Sequence, residues 1–364
     1  MTGAPTVGVE EEFLLLDPAT GENVPAAGAV LDALPAGLRE QSRPEFRLSM
    51  VEMVTPVCTG LAEVGEHLRR HRRAASEAAG AAGCCLVAVG ATPVAEPRLT
   101  VADVPRYRAI ADHYGPIVRD PAVCGCHIHV GVADRELAVL AGNHLRAWLP
   151  VVQALSVNSP FHAGADTGHA SWRSMQLDRW PTLGPAPAFA SAADFDRTVR
   201  LLVDSGAMLD ENLVLWYARP SSRYPTLEVR VADVCLSVDD TVLLTGLVRA
   251  LVATATEAVA AGRPAPDVPD GLLRAAHWNA AHQGLDGTLL DLGRREPRPA
   301  WDLVTDLVEA ITPALDRHGD LDLVHAGLDR LRAGGTGARR QRETYVRTGS
   351  LPATLTELAR QTVR

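Results

Sequence analysis

The run Val7-Gly8-Val9-Glu10-Glu11-Glu12-Phe13-Leu14-Leu15-Leu16 constrains the fold more than any other segment. Its β-branched, aromatic and aliphatic residues predict an extended strand close to the N-terminus, yet three adjacent carboxylates interrupt it. Side chains alternate across a strand, so Glu10 and Glu12 share one face with Gly8, while Val9, Glu11, Phe13 and Leu15 take the other. Two carboxylates on one face repel and shift each other's titration unless a proton or a cation lies between them, and a divalent metal is the natural cation. An edge strand with solvated acids would show the same pattern, so other segments have to decide.

Three do. Cys124-Gly125-Cys126-His127-Ile128-His129-Val130 looks at first like a zinc site, but alternation puts the thiols with Ile128 and Val130, and the imidazoles with Gly125 and Gly131. The expected division is a core face that uses Cys as a small apolar residue and a site face carrying His127 and His129. Pro225 to Asp233 repeats the arrangement: Leu227, Val229 and Val231 make an apolar face and Glu228 projects with Arg230 from the other. Glu45 and Glu52 are separated by an odd offset, so both reach one face only if the strand breaks or bulges near Ser49. The outcome is a sheet with Glu10, Glu12, Glu52, His129, Glu228 and Arg230 on one face and an apolar surface, covered by helices, on the other. Oxygen ligands with an imidazole suit Mg²⁺ or Mn²⁺.

Composition narrows the chemistry. The chain of 364 residues has no lysine, so all 35 basic residues are arginines. A P-loop, a kinase-type phosphate lysine and imine catalysis are thereby excluded; phosphates would have to be handled by metals and arginine forks. No Gly-x-Ser-x-Gly or His-Glu-x-x-His motif occurs. The net charge of −9 argues against a broad nucleic-acid or membrane surface. Six cysteines without disulfide-type spacing, and a start at Met1–Thr6 that leads straight into the first strand, predict a cytoplasmic protein. On the residues alone, metal-assisted group transfer, metal-dependent hydrolysis and non-catalytic metal binding all remain open.

Along the chain, Leu61 to Gly83 has helical spacing, and its Arg69, Arg70, Arg72 and Arg73 read as a solvated face. Arg135 to Val157 reads as one helix, and Pro160 to Pro187 as a binding loop too long for an idle connection. Val242 to Ala261 reads as a packed core helix, and the remainder as mainly helical. One domain over 1–364, with C-terminal helices from about 270 packed on it, is expected.

Taken in order, Gly8 to Phe13, Glu45 to Pro56, Cys124 to Val132, Asn158-Ser159-Pro160-Phe161 with Asp166-Thr167-Gly168, Pro181 to Pro185, Glu228 to Asp233 and Gly337 to Gln341 resemble the carboxylate–amine ligases of the glutamate–cysteine ligase type 2 group. The resemblance implies an α+β, glutamine-synthetase-like fold: a curved antiparallel sheet with helices on one face and the active site on the other. It implies ATP and Mg²⁺ (or Mn²⁺) as cofactors, and phosphorylation of the γ-carboxylate of L-glutamate followed by attack of an amine, usually L-cysteine. By the same resemblance Glu10, Glu12, Glu45, Glu52, His129 and Glu228 are metal ligands, and Glu228 and Arg230 are catalytic. Arg230, Arg339 and Arg340 meet the nucleotide, with Gly334 to Arg342 as a mobile cover, and Arg173 and His127 meet substrate. The only protein partner considered is a second copy, in a homodimer.

Overall fold

The computed structural model describes residues 4–364, so Met1–Gly3, at the head of the segment read as leading into the first strand, lie outside it. Strand β1, Val7–Leu16, is the one around which the sheet is assembled. It stops where Asp17 Oδ1 accepts hydrogen bonds from the N–H groups of Ala19 (2.7 Å) and Thr20 (2.9 Å) and Gly21 takes φ +75°, the turn that Asp-Pro-Ala-Thr-Gly encodes. The other strands are β2 (Ser42–Pro44), β3 (Met50–Val54), β4 (Cys85–Val87), β5 (Gly125–Gly131), β6 (Phe161–His162), β7 (Ala165–Asp166), β8 (Ala218–Pro220), β9 (Thr226–Asp233), β10 (Thr288–Asp291) and β11 (Glu296–Pro299). Seven of them form one sheet in the order β2-β3-β1-β5-β9-β8, with β4 pairing the end of β1. Every pairing in it is antiparallel. The remaining strands form two small hairpins, β6–β7 and β10–β11.

One face of the sheet is apolar, as alternation requires. Val9, Cys126, Ile128, Val130, Leu227 and Val229 are buried against the helix Val238–Ala260, each large aliphatic contributing about 1.5–3 kcal/mol. That helix starts at Ser237, whose side chain accepts from the Asp240 N–H, with Asp239 and Asp240 in its first turn, where they offset the exposed N–H groups and the helix dipole. Its mean hydropathy of 1.6 would suit a membrane span, but 78% of the apolar window is buried inside the protein. The helices Ala300–His318 and Leu321–Gly334 pack on it, and Leu351–Thr362 packs near β4. Phe13 and Leu15 continue the same face into a neighbouring cluster with Ala75, Ala79, Leu355 and Leu358.

Two local expectations are corrected. The Arg135–Val157 stretch is two helices, Arg135–Leu145 and Leu149–Ser156. Pro150 lacks the N–H that a continuous helix would need and sits instead in the first turn of the second helix, where that N–H has no intrahelical acceptor. The C-terminal region is mainly helical as expected, and the short hairpin β10–β11 within it is an addition the periodicity did not show. Arg72 is not on a solvated face: it is fully buried and grips Glu11, with Nη2–Oε1 at 2.5 Å and Nε–Oε2 at 2.9 Å. The bidentate pair neutralises the one acid of the triple that points into the core, and Thr241 Oγ1 donates to the same carboxylate at 2.7 Å.

Candidate active site

Register builds the site. Directly opposed residues of neighbouring strands project from the same face, and Glu12 lies opposite Glu52, Glu10 opposite His127, Gly8 opposite His129, and His129 opposite Glu228. Glu45 joins them from the segment between β2 and β3, where the chain leaves extended structure before Met50. This is the break that its odd offset from Glu52 demanded. Between the pairs Cys126–Ala232 and Ile128–Val229 the register shifts, so that His127 faces both Arg230 and Val231. Such a bulge re-aims side chains. Here Arg230 Nη1 comes to 3.3 Å from His127 Nδ1 and forms an ion pair with Glu228.

The acids fall into two groups whose candidate ligand atoms lie within 4.8 Å of one another: Glu10, His129 and Glu228, and Glu12, Glu45 and Glu52. In the first, His129 Nδ1 is 2.9 Å from Thr226 Oγ1, which turns Nε2 toward Glu10 Oε1 at 3.3 Å and Glu228 Oε1 at 4.0 Å. Nε2 is buried and has no hydrogen-bond partner. Burial opposes ionisation of Glu10, but the hydrogen bond with His127 and the proximity of both imidazoles hold it well below the usual carboxylate range. Burial works against Glu228 too, and Arg230 and Arg219 overcome it. The second group behaves in the opposite way. Burial, then the charge of Glu12, pushes Glu45 up to about 7; burial, then Glu45 and Glu10, pushes Glu52 well above its ordinary value; burial raises Glu12. An unpartnered imidazole nitrogen beside two ionised acids, and three carboxylates that resist simultaneous ionisation, fit hard divalent cations.

Between the groups stands His127, with Nδ1 3.1 Å from Glu10 Oε2 and Nε2 4.0 Å from Glu12 Oε1. Burial and the Arg230 charge lower it to about 4, so it is neutral at pH 7. Below the cluster lies a cavity of ≈ 320 Å³ whose charged rim includes Glu12, Glu45, Arg173 and Arg230 and whose wall includes Ile110, Val118, Leu177 and Trp180. A second cavity of ≈ 450 Å³ opens beside it, against Glu10, Glu52, His129, Glu228, Arg219 and Tyr224. Glu45, Arg106, Tyr107 and Arg230 border both. The Pro160–Pro187 segment contributes Arg173, Gln176, Leu177, Trp180 and Leu183 to the first cavity, so this long connection does line the pocket.

The sequence profile of glutamate-cysteine ligase family 2 matches residues 6–357. The chain belongs to that family. It is an ATP-dependent carboxylate–amine ligase. A protein of Salinispora arenicola named "Putative glutamate--cysteine ligase 2" is 60% identical over 358 residues, covering 98% of this chain and 95% of that protein. Among solved structures, the glutamate–cysteine ligase of Francisella tularensis in complex with AMP superposes with a TM-score of 0.74 at 12% identity, over 99% of this chain and 88% of that one. A bifunctional glutathione synthetase from Pasteurella multocida gives 0.69 at 13% identity, over 99% of this chain and 52% of that one. At such identities the superpositions speak for the fold: the α+β antiparallel sheet with helices behind it and the site in front.

The two arginines expected at the nucleotide pair with acids away from the two cavities. Arg339 is half-exposed and paired with Glu343 (2.8 Å) and Asp286 (3.6 Å); Arg340 is paired with Asp240 at the start of the core helix. Neither borders the two cavities. The Gly334–Arg342 segment, expected as a mobile cover, is anchored by specific contacts. Thr336 caps the helix Gly337–Thr348, Gly337 sits where a side chain would strike Asn158, and Gln341 Nε2 donates to Asn158 O and Oδ1 at 2.7 Å. These contacts pin the segment against Asn158.

Sequence reasoning missed Arg219, whose Nε is 2.9 Å from Glu228 Oε2, and the buried network at Asp233. Asp233 accepts from the Asn158 N–H (2.9 Å), Ser159 Oγ (2.7 Å) and Ser171 Oγ (2.8 Å), and lies 3.8 Å from Arg173. Arg173 is the second residue of the helix Trp172–Leu177, capped by Ser171, and Gly125 leaves the room its guanidinium occupies. Asn158 and Ser159 just before the long loop, and Ser171 within it, were the available signal for this anchor.

Proposed function

We propose that this ligase joins the γ-carboxylate of L-glutamate to the amine of L-cysteine, giving γ-glutamylcysteine, ADP and phosphate. The observation that carries the reading is the pair of acid groups flanking Arg230 and opening into two cavities. Glu10, His129 and Glu228 would hold one divalent cation, and Glu12, Glu45 and Glu52 a second; Mg²⁺ or Mn²⁺ bound there supplies charge neutralisation for phosphate oxygens. Glutamate and ATP meet beside Arg230. The γ-phosphoryl group passes to a γ-carboxylate oxygen as ADP leaves, and the guanidinium neutralises charge on the phosphoryl oxygens. The amine nitrogen then attacks the acyl carbon, phosphate departs and the nitrogen loses its surplus proton. Arg173, which lines the first cavity, would receive a substrate carboxylate. Neutral His127 lines the same cavity and keeps Glu10 in place by its hydrogen bond. We read residues 1–364 as one catalytic domain, and the six free cysteines agree with a cytoplasmic setting.

The test separates the two half-reactions. Purified protein with ATP, Mg²⁺ and L-glutamate is assayed with hydroxylamine, which traps an acyl phosphate as the γ-hydroxamate whatever the natural acceptor, and then with L-cysteine. Hydroxamate together with γ-glutamylcysteine is the expected result. Hydroxamate without cysteine-dependent product would retain acyl-phosphate chemistry and replace the acceptor. Absence of both would overturn the reading.

A further inference from the structure

Among the described residues, a third group of metal-competent side chains lies outside the active site: Cys58, Glu63 and His67, whose candidate ligand atoms are within 4.8 Å of one another. Glu63 and His67 are one turn apart on the helix Leu61–Ala81 and share a face, and Cys58 comes from the segment just before it. Backbone hydrogen bonds in both directions between Cys58 and Val7, at 2.8 and 2.9 Å, hold the cysteine against the start of β1. Glu63 and His67 are partly exposed and open the group to solvent. The chemistry of this trio differs from that of the sheet face: a thiol, an imidazole and one carboxylate are the donors of zinc-type ions rather than of Mg²⁺.

We propose that Cys58, Glu63 and His67 form a second metal site, selective for a borderline-soft divalent cation of the Zn²⁺ class, with solvent completing the coordination. Each existing contact is displaceable. Glu63 Oε2 accepts from the Thr59 N–H (2.9 Å), which leaves its other oxygen available. His67 Nδ1 is 2.9 Å from the exposed Arg70 guanidinium, which can turn into water. Cys58 Sγ donates to Pro56 O at 3.3 Å; on metal binding that proton is released and the sulfur ligates as thiolate.

Co²⁺ is the probe, because a cobalt–thiolate bond gives a near-ultraviolet charge-transfer band that carboxylate-bound cobalt lacks. The full-length protein is titrated with Co²⁺ in the presence of excess Mg²⁺. The expected result is a band saturating at one equivalent per chain, lost in Cys58→Ser and shifted to about tenfold or weaker affinity in His67→Ala. No band, or one that survives Cys58→Ser and so reports another thiol such as Cys85, would overturn the proposal. Should Cys58→Ser fail to fold, His67→Ala decides, because an unchanged titration in that partly exposed variant equally refutes the site.

Discussion

Replacing Glu45 by Gln should stabilise the metal-free protein at alkaline pH while weakening its response to metal. Burial and the neighbouring Glu12 raise the Glu45 carboxyl from 4.5 to about 7. At about 1.36 kcal/mol per unit, that displacement sets a ceiling of about 3 kcal/mol, reduced in practice by water at the cavity mouth. Below pH 4.5 the group is protonated in both folded and unfolded chains and contributes nothing. Between 4.5 and 7 the unfolded chain ionises while the folded one keeps its proton, so stability falls as pH rises. Above 7 the full cost persists. Urea unfolding with EDTA should therefore show Glu45→Gln more stable than the parent at pH 8 and equal to it at pH 4.5. Added Mg²⁺ should stabilise the parent more than the variant, and should bind the parent less tightly as pH drops below 7, by about tenfold per unit for each displaced proton. A variant no more stable than the parent at pH 8 without metal would refute the argument that the Glu12, Glu45 and Glu52 carboxylates oppose one another.

Other changes separate catalytic from structural roles. Arg230→Ala should lower kcat by about 10²–10³-fold with the circular dichroism spectrum preserved; near-parental turnover would remove Arg230 from phosphoryl transfer. Asp233→Asn, which weakens the anchor of the loop bearing Arg173, should raise the KM for glutamate more than it lowers kcat, and the reverse split in steady-state kinetics would deny that Asp233 acts through Arg173. Arg72→Ala leaves Glu11 charged and buried without its partner and should cost about 3–5 kcal/mol in urea unfolding; a loss below 1 kcal/mol, well within that of an exposed ion pair, would contradict the buried pairing. The double change Arg339→Ala with Arg340→Ala should leave the KM for ATP unaltered, and a marked rise would return these arginines to the nucleotide.

How much of the site was legible follows from the range of the interactions that made it. Strand alternation is a property of local backbone geometry, so the shared face of Glu10 with Glu12, of His127 with His129, and the withdrawal of Cys124 and Cys126 into the core could be read from spacing alone. So could the need for a break between Glu45 and Glu52, because an odd offset is incompatible with one face of a regular strand. The absence of lysine likewise limits phosphate handling to arginine and metal.

What spacing could not supply was the partner of each charged residue. Glu11 and Arg72 are distant in sequence and become an ion pair only when the helix Leu61–Ala81 lies on the back of β1; seen along the chain, Arg72 is one of four arginines that look alike. Arg219 reaches Glu228 through the pairing of β8 with β9, and Arg230 reaches His127 through a bulge that no residue in β9 announces. Arg339 and Arg340 follow glycines, the pattern of a phosphate-covering loop, yet the packing of Gly337 and Gln341 on Asn158 builds that segment into a capped helix. Local periodicity determined which side chains share a face. Tertiary packing decided which charges meet, because a buried charge is tolerated only where the fold brings a compensating group to it.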